Sequence, residues 1–201
     1  MKPTLVFIHG AFSGPSAFHY FARSFADYQC VSFAYNWNTK PSLIGRELAD
    51  FVTMTVRTPS VILLGHSLGG NVAIHSLASF DGSIPFIIKR VITYSSPIGG
   101  SAPARFLRLV SKAQIFEHIH PSSWEVQTLQ DIALQHHQYR SNITCFVSNR
   151  GPISRLSDGV ITVASQTAIP GLHYIPVATN HINVLLSDSV IATTRQLIES
   201  K

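Results

Sequence analysis

Gly65-His66-Ser67-Leu68-Gly69-Gly70 stands between the apolar run Val61-Ile62-Leu63-Leu64 and the helix-like stretch Asn71-Val72-Ala73-Ile74-His75-Ser76-Leu77-Ala78. A G-x-S-x-G between a buried strand and a helix is the pattern of a nucleophile elbow. The serine sits at a sharp turn, and glycines two residues to either side let strand and helix pass without Cβ clashes. The turn lifts the hydroxyl above the sheet, at the positive end of a helix. The hexapeptide alone is a weak signal. The strand before it and the helix after it make Ser67 the candidate nucleophile.

Outward from the elbow, short apolar runs alternate with amphipathic stretches, the pattern of β-α-β units and a mostly parallel sheet. Strands are expected at 4–8, 30–35, 61–64, 86–94, 143–148 and 172–177. A helix near 16–26 carries Phe18, Phe21, Ala22 and Phe25 on one face. Another at about 42–57, after Pro41, presents Ile44, Leu48, Phe51, Val52 and Val56, and the last helix runs from Asp188 to about 199. Right-handed crossovers would place helices on both faces. Asp188 reads as the N-cap of that last helix.

Residues 97–141 break the rhythm with helical periodicity and no intervening strand. Phe106, Leu107 and Val110 make one apolar stripe, and Trp124, Leu129 and Ile132 belong to a second helix. The segment follows the carboxyl end of a strand, where α/β sheets keep their ligand crevices. It reads either as a small lid over a pocket or as a crossover helix with a long connecting loop.

A serine hydroxyl is a poor nucleophile at neutral pH and needs an adjacent base, itself oriented by a third group. In the elbow fold these follow in the order serine, acid, histidine. Of the histidines after Ser67, only His181 lies in a loop after the last strand; His173 stands at that strand's start. A lone loop histidine is ordinarily a polar surface residue, and it is the position that selects His181. Between the two lie Asp81, Glu117, Glu125, Asp131 and Asp158. Glu125 and Asp131 fall within a helix and Asp81 in a Gly-containing turn. Asp158 lies in the loop after the 143–148 strand, where an acid would meet a histidine from the next loop, although Asp-Gly is also an ordinary turn dipeptide.

An oxyanion hole needs two N–H donors. One is expected from Leu68, after the nucleophile, and one from Ala11, in the loop His9-Gly10-Ala11-Phe12-Ser13-Gly14 after the first strand. Gly10 would let the backbone turn back so that the Ala11 N–H faces the developing oxygen. Such a donor is worth roughly 3–4 kcal/mol in the transition state. His9 and His66 flank turns and read as braces.

The 201 residues suit one domain over 1–201, and 45% hydrophobic against 12% charged residues excludes a disordered chain. A mean hydropathy of +0.20 fits a large buried sheet or a protein that meets greasy substrates. Net charge is +5, yet the densest basic face, Arg105, Arg108 and Lys112, is too sparse for nucleic acid. A mild pull toward anionic substrates or lipid surfaces remains compatible with it. His118-Ile119-His120 and His136-His137 lack further ligands at metal-binding spacing, and no phosphate- or dinucleotide-binding glycine motif occurs. Cys30 and Cys145 read as buried free thiols. No charged leader precedes the first strand and no apolar run approaches about 18 residues, so a cytoplasmic protein without stable membrane insertion is expected.

Val6-Phe7-Ile8-His9-Gly10, the elbow, Ser157-Asp158-Gly159-Val160 and Asn180-His181 together resemble the α/β-hydrolase superfamily, most nearly its small bacterial lipases and carboxylesterases. Ser157 to Ser165 is similar to the family's D-G-x-V-x-x-x-S acid loop, and His181-Ile182-Asn183-Val184-Leu185-Leu186 to its H-x-x-L-L segment. Ser96-Pro97 with Gly100-Ser101 matches a T-P-H-x-G-S segment in part, with Ile98 in place of the histidine. The resemblance implies a minimal α/β-hydrolase fold of about six strands, lacking two antiparallel edge strands. It also implies acyl transfer to water through a serine ester, on a small-molecule or lipid ester, without an organic cofactor. Some such lipases bind structural calcium; no site for it can be assigned in the sequence. A thioesterase or acyl-protein hydrolase would use the same three residues, and a binding protein that kept the fold without the chemistry is the reading from another class.

Overall fold

Strand β1 (Thr4–Ile8) is buried along its whole length, and its side chains divide by parity between two cores. Val6 and Ile8 enter one cluster while Leu5 and Phe7 enter the other. Strand β3 (Ser60–His66) repeats the division, with Val61 and Leu63 on the first side and Ile62 and Leu64 on the second. Successive strand side chains point to opposite faces, so a run apolar at every position must be covered on both.

The structure is a computed structural model that describes residues 1–80, 84–104, 109, 112–135, 142–152 and 155–200. The remaining strands are β2 (Gln29–Phe33), β4 (Ile87–Tyr94), β5 (Ile143–Ser148) and β6 (His173–Val177). The sheet has the order β2-β1-β3-β4-β5-β6, every neighbouring pair parallel. The edge strands β2 and β6 are the two that are largely unburied. The strand pattern predicts a mostly parallel sheet, and the parallel character is complete; the six strands form the minimal α/β-hydrolase fold that the resemblance implies.

One face is covered by helices α2 (Pro41–Thr55) and α3 (Leu68–Ser76), through Ile44, Leu48, Val52, Val72 and Ala73. Proline opens α2 at its first position, where its missing N–H costs nothing. A Cβ on Gly45 would stand 2.8 Å from His75 Cβ, so that glycine sets how closely α2 and α3 approach. The other face takes Phe18, Phe21 and Phe25 with Val190, Ile191 and Ile198 of the last helix. The helix expected at 16–26 is shorter: a 3-10 turn over Pro15–Phe18 leads into α1 (His19–Arg23). Its three phenylalanines nevertheless reach the core as the spacing predicts.

Helix α4 (Ile115–His118) and helix α5 (Trp124–Gln135) lie in the segment 97–141. Helix α5 is the β4–β5 crossover and packs on α3, while the stretch before it walls a cavity above the sheet. Trp124 departs from the expected stripe: it is 66% exposed, and Val126, Leu129, Ile132 and Ala133 form the buried face. Arg105, Phe106, Leu107, Arg108, Val110, His136, His137 and Asp81 lie outside the described residues.

Helix α6 (Val163–Gln166) follows the loop of Asp158, and helix α7 (Asp188–Glu199) closes the chain. Asp188 is not the N-cap expected of it. Ser187 holds that position, and the Asp188 carboxylate instead accepts the Tyr20 hydroxyl at 3.1 Å. Among the described residues no helix is long and apolar enough to cross a membrane. Both thiols are free, Cys145 fully buried and Cys30 only half so.

Candidate active site

The sheet winds outward from β1 in one direction to β2 and in the other through β3 to β6. A crevice opens where such winding reverses, above the carboxyl ends of β1 and β3. The loop after β1 and the elbow after β3 meet there. Ser67 has φ 53° and ψ −123°, a conformation that costs a non-glycine residue about 1–3 kcal/mol. Its N–H donates to the Tyr94 carbonyl at 2.8 Å, which ties the turn to the end of β4.

Glycine is required around it by contact. A Cβ on Gly65 would lie 2.4 Å from the Gly69 carbonyl oxygen, and one on Gly69 would lie 2.1 Å from that of Ile8. Gly10 acts in the same way. It has no positive φ, and the left-handed residue of its loop is Phe12 at φ 57°. A Gly10 Cβ would instead stand 3.0 Å from Ser67 Cβ, so the expected turning back is a matter of clearance.

Three candidate residues from three loops form one hydrogen-bonded row. Ser67 Oγ–H donates to His181 Nε2 at 3.0 Å, and His181 Nδ1–H donates to Asp158 Oδ2 at 2.7 Å. The carboxylate can only accept, so the Nδ1–H tautomer follows and Nε2 carries the lone pair facing the serine. The His181 N–H also donates to the Asp158 carbonyl at 3.1 Å, so the pair is joined through side chain and main chain. Asp158 is buried, and its Oδ1 accepts the N–H groups of Val160 (2.8 Å) and Ile161 (2.6 Å). Gly159, at φ +99°, makes that turn possible. The Asp-Gly turn and the partnership with His181 are thus the same structure.

Two positioning groups escaped the sequence reading. Gln166 is buried and grips Ser148, the last residue of β5, accepting its N–H at 2.9 Å and donating to its carbonyl at 2.9 Å. The same amide nitrogen lies 3.5 Å from Asp158 Oδ2. The Ser148 hydroxyl continues to Ser95 Oγ (2.7 Å) and Thr179 Oγ1 (2.9 Å), linking the carboxyl ends of β4, β5 and the His181 loop. A glutamine at the end of a short helix carries no motif that would announce this.

His66 and His9 brace turns as expected. His66 Nε2–H donates to the His181 carbonyl at 2.7 Å. Burial, and secondarily the charge of His181, holds its pKa down to about 4, so it stays neutral at physiological pH. His9 donates from Nδ1 to the Gly10 carbonyl at 2.8 Å and stacks on Tyr35, and burial lowers its pKa. Glu125, set aside as an acid, enters another buried pair. Its carboxylate accepts the Ser42 N–H (2.8 Å) and hydroxyl (2.9 Å) at the start of α2, 3.6 Å from His75 Nε2. Burial pushes the His75 pKa down.

A cavity of about 540 Å³ opens above Ser67. Ala11 and Leu68, the expected oxyanion donors, both line it beside Ser67 and His181. Leu68 is the first residue of α3, so its N–H has no acceptor within the helix. Opposite stand Ile115, Phe116 and Ile119 from the 97–141 segment. No lysine, arginine, aspartate or glutamate lines the cavity among the described residues. Phe12, Val160, Ile182 and Leu186 line it and are each at least half exposed, so its rim is apolar as well. Among the described residues no group of three or more histidine, cysteine or acidic side chains is placed to hold a metal.

A serine, a histidine with a free lone pair and a buried carboxylate in this row can move a proton off the serine and hold the resulting imidazolium. Solved structures of this shape include the mature lipase BlEst2 of Bacillus licheniformis, with a TM-score of 0.76 at 18% identity over 98% of this chain and 92% of that one. Phospholipase PlaB of Legionella pneumophila gives 0.76 at 11% identity, covering 100% of this chain and 60% of that one. A metagenomic carboxyl esterase gives 0.67 at 14% identity, over 91% and 65%. No curated protein sequence matches. At such identities the structures speak for the fold. The sequence model of the alpha/beta hydrolase family matches residues 5–179, most of the chain. The chain therefore belongs to the alpha/beta hydrolase family.

Proposed function

We propose that the protein is a serine hydrolase of carboxylic esters, with Ser67 as nucleophile, His181 as base and Asp158 as the acid that orients it. The observation that carries this reading is the row Ser67–His181–Asp158, at 3.0 and 2.7 Å, on a strained elbow beneath an apolar cavity. Ser67 Oγ attacks the ester carbonyl carbon while His181 Nε2 takes its proton. The N–H groups of Ala11 and Leu68 hold the oxygen that becomes negative. Collapse breaks the bond to the alcohol oxygen, which leaves with the proton from His181. Water then repeats the sequence on the acyl-serine and releases the carboxylic acid. No cofactor enters these steps.

The uncharged cavity supports an apolar acyl group, and 540 Å³ is ample for a small-molecule ligand. The apolar rim supports passing contact with a lipid surface. Lipase, phospholipase and esterase neighbours agree with lipid or small-molecule esters. The test is hydrolysis of p-nitrophenyl octanoate by the wild type and by Ser67→Ala, each checked for folding by circular dichroism. Loss of turnover in the folded variant is expected; unchanged turnover contradicts the assignment.

A further inference from the structure

Two cavities of different chemistry flank the loop that carries His181. The first is the apolar one above Ser67. The second, of about 510 Å³, is lined by Arg150, Thr179, Asn180, Asn183 and Ser187, with Ala178 and Leu186. Leu186 lines both, so the two cavities adjoin at that residue.

The direction of the reaction decides which half of an ester lies near the second cavity. His181 must give its proton to the departing alkoxide, so the alcohol half lies on the imidazole side of Ser67. Residues next to His181 are then the walls that this half meets. Asn180 and Asn183 bracket the histidine and belong to the polar cavity.

Arg150 is fixed to the same loop by its own backbone, whose N–H donates to the Thr179 carbonyl at 2.9 Å. Its guanidinium is exposed, and among the described residues it forms no ion pair. No carboxylate lines the cavity among those residues. Asp188, next in sequence to Ser187, is not part of the lining and is engaged by the Tyr20 hydroxyl. Asn180 Oδ1 accepts the N–H groups of Ile182 (3.1 Å) and Asn183 (2.8 Å), which leaves its Nδ2 hydrogens as the free end. A guanidinium and amide donors without a fixed anion suit an oxyanion.

We propose that this cavity receives an oxyanion, phosphate or carboxylate, carried on the alcohol half of the ester. The preferred substrate is then an apolar acyl ester of an anionic alcohol. The proposal rests on the ester-hydrolase reading above. The chemistry is that same hydrolysis, and the new element is what the leaving alcohol carries.

The experiment compares p-nitrophenyl octanoate with its ring-carboxylated analogue, which have equal acyl chains and leaving groups that differ by one negative charge. An exposed charge pair is worth up to about 1 kcal/mol, so Arg150→Gln is expected to lower the ratio of kcat/KM, charged ester to neutral, by up to about fivefold. Arg150→Glu lowers it further, and raising the salt concentration narrows the wild-type preference. An unchanged ratio in both variants overturns the proposal. So does Arg150-dependent inhibition by inorganic phosphate in a wild type that shows no preference for the charged ester, which would make the cavity a site for free anions only. Failure of the ester-hydrolase reading itself would be visible separately, as turnover of the neutral ester that survives Ser67→Ala.

Discussion

His66 holds the main chain of His181 while its neighbour Ser67 holds the side chain. The His66 Nε2–H donates to the His181 carbonyl at 2.7 Å, and His181 Nε2 lies 3.0 Å from Ser67 Oγ. Two consecutive residues of the elbow thus grip both ends of the candidate base, and the serine–imidazole distance is fixed by a second bond one residue away. The burial that keeps His66 neutral is part of this arrangement, because a charged His66 would stand against the imidazolium that the proposed mechanism forms on His181.

Replacement of His66 separates this tether from mere packing. Glutamine places an N–H near the position of Nε2, whereas leucine leaves the His181 carbonyl without a donor. His66→Leu is expected to lower kcat by on the order of 10–100-fold with little change in KM, the scale of a misplaced catalytic group. His66→Gln should recover most of that loss. Equal kcat in the two variants, measured on p-nitrophenyl octanoate, would show that the bond does not position His181.

Gln166 offers a second test of positioning. Its amide joins Ser148 to the Asp158 carboxylate, so Gln166→Leu removes a donor from Oδ2 and loosens the acid loop. Gln166→Leu is expected to lower kcat with little change in KM, the sign of a displaced carboxylate. A fall in urea midpoint with unchanged kcat would mean that Gln166 only supports the fold.

The glycines of the elbow predict a contrast in stability. A Cβ at Gly69 meets the backbone oxygens of Ile8 and His9 at 2.1 and 2.5 Å, and neither can retreat without parting β1 from α3. Gly69→Ala should therefore cost about 3 kcal/mol or more, as overpacking against rigid neighbours does. Nothing lies within 4 Å of a Cβ at Gly14, whose φ is −144°, and Gly14→Ala should stay within about 0.5 kcal/mol. Urea unfolding of both variants checks the difference.

Stability should also fall in mild acid. His66 titrates near its ordinary 6.5 when unfolded and at about 4 when buried, so below pH 6.5 the unfolded chain binds the proton and the folded chain does not. Its contribution is fully present above 6.5 and is lost as the pH drops toward 4. The slope per such histidine approaches about 1.4 kcal/mol per pH unit. His75, also lowered by burial, acts in the same direction. Urea midpoints taken between pH 7 and 4.5 should decline in the wild type and less steeply in His66→Gln. A flat wild-type profile would contradict the burial argument.

The parts of the molecule legible in its sequence are those fixed by local rules. Ser67 announces its turn through Gly65 and Gly69, and the fully apolar runs at 4–8 and 61–64 announce a sheet covered on both sides. His181 and Asp158 were read from their places after strands, which the sheet order reproduces. Gln166, Glu125 and the exposed Trp124 were not legible, because their surroundings come from residues distant in sequence: Ser148 for the first, Ser42 and His75 for the second. The close approach of Gly10 to Ser67 was not legible either, since it joins residues 57 positions apart.

The central claim is that Ser67 becomes covalently acylated with His181 as its base. Intact-mass measurement and peptide mapping after treatment with a fluorophosphonate test it most directly. A single adduct on Ser67 is predicted, absent in Ser67→Ala and slowed on the order of 10³-fold or more in His181→Gln. An adduct on another residue, or none in the folded wild-type protein, would contradict the account.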